Sequence, residues 1–127
     1  MAAGARRGEG LIEAGGKEYQ LFFNNKALAE AERAIGKSMG VLASQVSAGT
    51  FSVSETAALL RIGVNSARRE FRLKIVPITL DDAFSIMDEV GFLVAGSAVI
   101  APLTEVLVYD PSDADENDEG EEGNPPE

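Results

Sequence analysis

The sequence predicts an α+β fold that is mainly helical: an N-terminal β-hairpin, about five short helices after it, and a disordered acidic tail at the C-terminal end. Three observations predict it. Two short strand-like runs flank Gly15-Gly16 near the start of the chain. Apolar residues then recur at helical spacing between Asn, Ser, Thr and Gly residues of the kind that start and stop helices. The last 18 residues, Asp110 to Glu127, hold nine acidic side chains and no basic one.

The hairpin is expected from about Gly10 to Phe23, because paired glycines accept the positive φ angles of a tight turn. Asn24 or Asn25 caps the first helix, in which Leu28, Ala31, Ala34 and Ile35 share one side and Gly36 is the stop. Ser38 caps a second, through Met39, Val41, Leu42 and Val46 to Gly49. Ser52 or Ser54 starts a third, with Glu55 at the capping-box offset from Ser52 and Ala58, Leu59, Ile62 and Phe71 as its apolar side. Pro77 interrupts the chain. Thr79 then caps a fourth helix that runs to about Val90, with Asp82 in the first turn, where a carboxylate suits the helix dipole. Beyond Gly91 a last helix, Phe92 to Val108, reads as buried, with Pro102 expected to kink or restart it.

A length of 127 residues, 45% of them hydrophobic, fits one domain. The expected organisation is a flexible N-terminus at 1–9, a single globular domain at 10–109, and a tail at 110–127. The tail has too few apolar side chains to offset the entropy of ordering it. It also dominates the net charge of −10: residues 1–109 carry 11 basic against 12 acidic side chains. The chain has neither Cys nor His, which excludes disulfides, thiolate or imidazole metal sites, and every nucleophile activated by an imidazole. No catalytic, metal or cofactor residue is assigned, and the chain is expected not to be an enzyme. No signal-like apolar run follows Arg6-Arg7, and Gly96, Pro102 and Glu105 interrupt the most hydrophobic stretch, so a cytoplasmic protein is expected.

Three motifs need weighing. Gly36-Lys37-Ser38 matches the end of a phosphate-binding loop, but Ala31 stands where that motif begins with glycine, and the segment follows a helix; a helix stop and a helix cap is the ordinary reading. Asp81-Asp82 and Asp88-Glu89 are acidic pairs, the first at a helix start where carboxylates belong anyway. Val53 to Phe71 reads as a helix-turn-helix with Gly63 in the turn and Arg68, Arg69, Arg72 and Lys74 as phosphate contacts, or as one continuous amphipathic helix with a basic end. A small DNA-binding regulator is the alternative function that follows from the first of these two readings.

The hairpin Ile12 to Phe23, followed by Asn25-Lys-Ala-Leu-Ala-Glu-Ala-Glu-Arg-Ala-Ile-Gly-Lys-Ser, resembles the start of the tail assembly chaperones of long-tailed phages and gene transfer agents. Ala57-Ala-Leu-Leu-Arg-Ile-Gly-Val resembles their central helix, and Thr79-Leu-Asp-Asp-Ala with Ile86-Met-Asp-Glu-Val-Gly the helix after it; the likeness spans about Leu11 to Leu107. Phe71 to Ile78 departs from it, being longer and more strand-like than a short polar link. The resemblance implies a protein of the bacterial host's cytoplasm, absent from the finished virion, that keeps the tape measure protein soluble and helps tail tube protein assemble around it, without a cofactor or a membrane. Whether it forms a homo-oligomer is left open. Such a chaperone would receive amphipathic helices in an apolar groove, for which Leu28, Ile35, Leu59, Ile62 and the Phe92 to Leu107 helix are candidates, with Arg68, Arg69 and Arg72 as charges that meet an acidic partner.

Overall fold

Gly15 and Gly16 both adopt positive φ, 58° and 78°, the pair of left-handed conformations a two-residue hairpin turn requires. They fold β1 (Glu9–Ala14) back on β2 (Lys17–Phe22) in an antiparallel register from Ala14↔Lys17 to Glu9↔Phe22. The structure is a computed structural model that describes residues 6–112. The acidic tail from residue 113 on, and the first five residues of the expected flexible N-terminus, lie outside the described residues.

Five helices follow the hairpin: α1 (Asn25–Ile35), α2 (Met39–Ala48), α3 (Val53–Glu70), α4 (Leu80–Val90) and α5 (Phe92–Leu107). The α+β, mainly helical fold read from the sequence is the observed one. Each of the first four helices starts where a short polar side chain takes up a free backbone donor. Asn24, rather than Asn25, accepts from the Ala27 N–H at 3.0 Å. Ser38 accepts from Val41. Ser52, rather than Ser54, forms a full capping box with Glu55, and Thr79 forms one with Asp82. Gly36 and Gly49 close α1 and α2 in the left-handed conformation. The Glu32 carboxylate reaches across the α1–α2 corner to the Met39 N–H at 2.7 Å and fixes the entry of α2.

The third helix is the axis of the molecule. It packs against β2, α1, α4 and α5, and its buried residues, among them Leu59, Leu60, Ile62, Val64 and Ala67, point in several directions because neighbours surround it. Gly63 lies in mid-helix against the hairpin: a Cβ there would come within 2.7 Å of the Phe23 ring and 2.9 Å of Leu21. This overturns the helix-turn-helix reading. Residues 53–70 are one uninterrupted helix, and Gly63 is a close-packing position, not a turn.

At its N-terminal end α3 is tied to the α1–α2 corner through Glu55, which accepts a 2.7 Å hydrogen bond from Lys37 Nζ as well as the Ser52 N–H. The Lys37 ammonium and the cap hold the Glu55 carboxyl at a pKa of about 2, below its ordinary 4.5. Lys37 is thereby engaged, and Gly36 and Ser38 on either side of it are the helix stop and helix cap expected of them.

Two local expectations change. The stretch from Phe71 to Ile78 forms no strand and instead runs as an irregular connector; Pro77 has no N–H to give a ladder. Pro102 does not restart α5, which is continuous to Leu107. The proline ring packs against Gly10 of β1, where a Cβ would approach it to 2.9 Å, so close contact with the hairpin holds the helix together past the missing hydrogen bond. Residues 6–8, ahead of the expected domain start, are also held against the body: Gly8 N–H donates to Glu105 at 2.8 Å and Arg6 lies over the Phe22 and Phe71 rings. No single helix among the described residues is long and apolar enough to cross a membrane.

Gly63→Ala is expected to destabilise the fold by up to about 2 kcal/mol, since overpacking costs roughly 1–3 and the better helix preference of Ala returns about 1; the urea midpoint measures it. A Glu55 carboxyl titrating below its unfolded value contributes stability that is complete above about pH 4.5 and lost as pH falls toward 2. Glu55→Gln should therefore lower stability at neutral pH by about 1 kcal/mol and flatten the acid limb of a plot of unfolding free energy against pH.

Candidate partner-binding surface

The apolar residues singled out from the sequence face inward. Leu59 and Ile62 are 1% and 3% exposed, Leu28 is buried in the same core, and Ile35 packs half-buried against it. Among the described residues, then, the two from α3 line no open groove: the helix they belong to is enclosed by its neighbours. Helical spacing identifies an apolar side but not whether a partner or the protein's own core covers it.

The arginines are partly committed as well. Arg68 donates to the Val76 carbonyl and lies 6.0 Å from the Tyr19 ring. Arg69 pairs with Glu30 and Glu70, each at 3.3 Å. Arg72, just past the end of α3, takes a left-handed φ of 58° and is exposed. Gly36-Lys37-Ser38 and Asp82 are occupied by caps and ion pairing, and among the described residues no group of three or more acidic side chains is placed to hold a metal ion.

The exposed apolar surface lies on the remaining candidate, the last helix. Helix α5 buries Ala95, Val99, Pro102 and Leu103 against the body. Its outer side begins with Phe92, Leu93 and Val94, of which Leu93 is 79% exposed and Val94 55%. Turned outward further along are Ser97 and Ala101, and a Cβ on Gly96 would meet nothing within 4 Å. From Val90 to Thr104 there is no charged residue. The helix read both as buried and as a groove candidate therefore has one buried side and one bare one. The 13 uncharged residues of that run that lie on α5, Phe92 to Thr104, are the sequence signal for this, since a chain of this size has too few elements to cover such a helix all round.

A second feature passed unnoticed in the sequence. All 11 basic residues lie at or before Lys74. Residues 1–74 carry 11 basic and seven acidic side chains, a balance of +4; residues 75–127 carry 14 acidic side chains and no basic one, a balance of −14. Helices α4 and α5 belong wholly to the acidic part, with Asp81, Asp82, Asp88 and Glu89 before the bare stretch and Glu105 after it.

The connector presents a smaller apolar strip, with Ile75 and Val76 53% and 79% exposed. It borders a cleft of about 790 Å³ floored by Tyr19, Ile78 and Ile86. What holds the strip in place is a polar residue in the middle of α3: the Asn65 amide accepts from the Ile78 N–H at 2.8 Å and donates to the Ile78 carbonyl at 3.0 Å, pairing with the connector as a strand would. Asn65→Ala removes both bonds and leaves two backbone groups to find water. It is expected to cost about 1–3 kcal/mol and to speed proteolytic cleavage within residues 71–78, read by mass spectrometry of the first fragments.

No curated protein and no solved structure matches the chain. A family model described as "phage tail tube protein, GTA-gp10" matches residues 7–74, more than half of the 127. The matched part comprises the hairpin, the first three helices and the start of the connector, which is the unit locked together by Gly63 and the Lys37–Glu55 pair. That description names a tube protein where the resemblance read from the sequence named an assembly chaperone, and the two agree on the tail of a phage or gene transfer agent. With its hairpin, three capped helices and that match, the chain belongs to this family of phage tail proteins.

Proposed function

We propose that this tail protein is a non-catalytic assembly chaperone, which binds the tape measure protein in the cytoplasm of the bacterial host and assists tail tube assembly. The observation that carries the reading is the bare outer side of α5, where Leu93 and Val94 stand exposed beside a stretch without charge. A long amphipathic helix such as a tape measure protein offers has an apolar stripe that must be covered until assembly, and an exposed apolar helix side is what covers one. The acidic excess supports the same role, because a net charge of −10 keeps a loaded complex dispersed. No observation favours the DNA-binding alternative: the proposed turn is mid-helix and two of its arginines are engaged within the chain.

Co-expression of the tagged full chain with the longest helical protein encoded beside its gene tests the reading, with duplex DNA as a parallel bait. The neighbour is expected to become soluble only alongside this chain, and purified tails are expected to lack the chain. Recovery of the chain as a repeated subunit of finished tails would replace the chaperone by a tube protein. Retention of DNA that is released by salt would move the function to the basic half of the molecule.

A further inference from the structure

We infer that the acidic segment 113–127 occupies the basic surface at the start of the chain, formed by Arg6, Arg7, Lys26 and Arg72, and screens it from other anions. This contact is independent of the bare side of α5 and of the chaperone reading.

The described chain hands over to that segment beside two arginines. Arg7 lies 3.6 Å over the ring of Tyr109, shortly before the described residues end at Ser112. Arg6, Arg7, Asn25 and Tyr109 line one open cavity of about 560 Å³. Lys26 follows Asn25, and Arg72 follows Phe71, whose ring lies under the Arg6 guanidinium. All four cations are exposed, and among the described residues the ion pairs involve Lys37 and Arg69 alone. The carboxylates close by are otherwise engaged. Glu105 accepts from the Gly8 N–H and Asp110 from the Ser112 N–H, while Glu9 is 3% exposed and accepts from the Arg6 backbone N–H.

Length and charge then choose the occupant. Segment 113–127 holds eight acidic side chains and no basic one. Its 15 residues, extended, reach about 50 Å, far enough for any part of a body whose radius of gyration at this size is about 13 Å. Reach therefore excludes nothing, and charge decides. Of the other cations, Lys37 and Arg69 are in ion pairs, Arg68 donates to the Val76 carbonyl, and Lys17 shares its cleft with Glu18, Asp82 and Glu89. A tether rooted beside the cluster presents the acidic segment at an effective concentration on the order of millimolar. A second copy offers the same segment only at its bulk concentration, about a thousandfold lower for micromolar protein. Nucleic acid or an acidic protein has to displace the tethered segment before it meets the arginines, so the chain carries its own competitor for its basic half.

The chain has no cysteine, so Asn124→Cys gives the full chain a single position for a nitroxide label. At ~50 mM salt the label is expected to broaden the amide resonances of residues 6–8, 25–27 and 71–73, and ~1 M salt to restore them, because screening then acts within about 3 Å. Replacing the eight carboxylates of 113–127 by their amides keeps the tether and should restore the resonances as well. A fluorescent peptide with the sequence of 113–127 supplies a second readout. It should bind the amide variant at least ~10-fold more tightly than the parent, whose surface is already filled. Adding Lys26→Glu and Arg72→Glu to the amide variant should remove that binding with little change in melting temperature, since both side chains are exposed. No broadening at low salt, equal broadening in parent and amide variant, or equal binding of the peptide to the two would each overturn the assignment. So would broadening that fades on dilution, which would give the segment to a second copy.

Discussion

The contact between the hairpin and α3 at Gly63 is the constraint on which the rest of the structure depends. A two-stranded hairpin is marginal alone in water, and here its inward residues Leu21 and Phe23, 0% and 1% exposed, find their cover on α3. The helix accepts them only because position 63 has no side chain. Glycine in a helix interior costs about 1 kcal/mol relative to alanine, and the close packing of the Phe23 ring over the bare backbone offsets it. With that distance set, α1, α4 and α5 pack around the other sides of α3.

Features written in a few adjacent residues were legible in the sequence. Asn24, Ser38, Ser52 and Thr79 cap helices where they were expected to, or at one of two nearby choices, because a cap depends on its own side chain and on a backbone donor two or three residues away. Gly15-Gly16 marked its turn for the same reason. What could not be read depends on residues distant in the chain. Gly63 is the clearest case: a glycine before a basic segment suits a turn and a close contact equally well, and only Leu21 and Phe23, some 40 positions earlier, decide between them.

The candidate surface divides along the same line. Leu59 and Ile62 lie on an apolar helix side that proves to be core, while Leu93 and Val94 lie on one that proves to be open; nothing in the local pattern separates the two. Counting charges along α5 comes closer, because an apolar run without any charge cannot present a solvated polar side. Asn65 shows the opposite limit. A single amide in the middle of a helix carries no local signal that it will pair with Ile78, 13 residues further on.

The segregation of charge gives the fold two unlike halves. Residues 7–74, the part that matches the tail protein family, carry nearly all of the basic residues, whereas α4, α5 and everything after them carry acidic residues and no basic one. The two halves are joined at the far end of α5, where Glu105 accepts from the Gly8 N–H and Arg7 lies 3.6 Å over the Tyr109 ring. The basic start of the chain is thereby folded onto the acidic half, so that opposite charges hold the hairpin and the last helix together where apolar contact runs out.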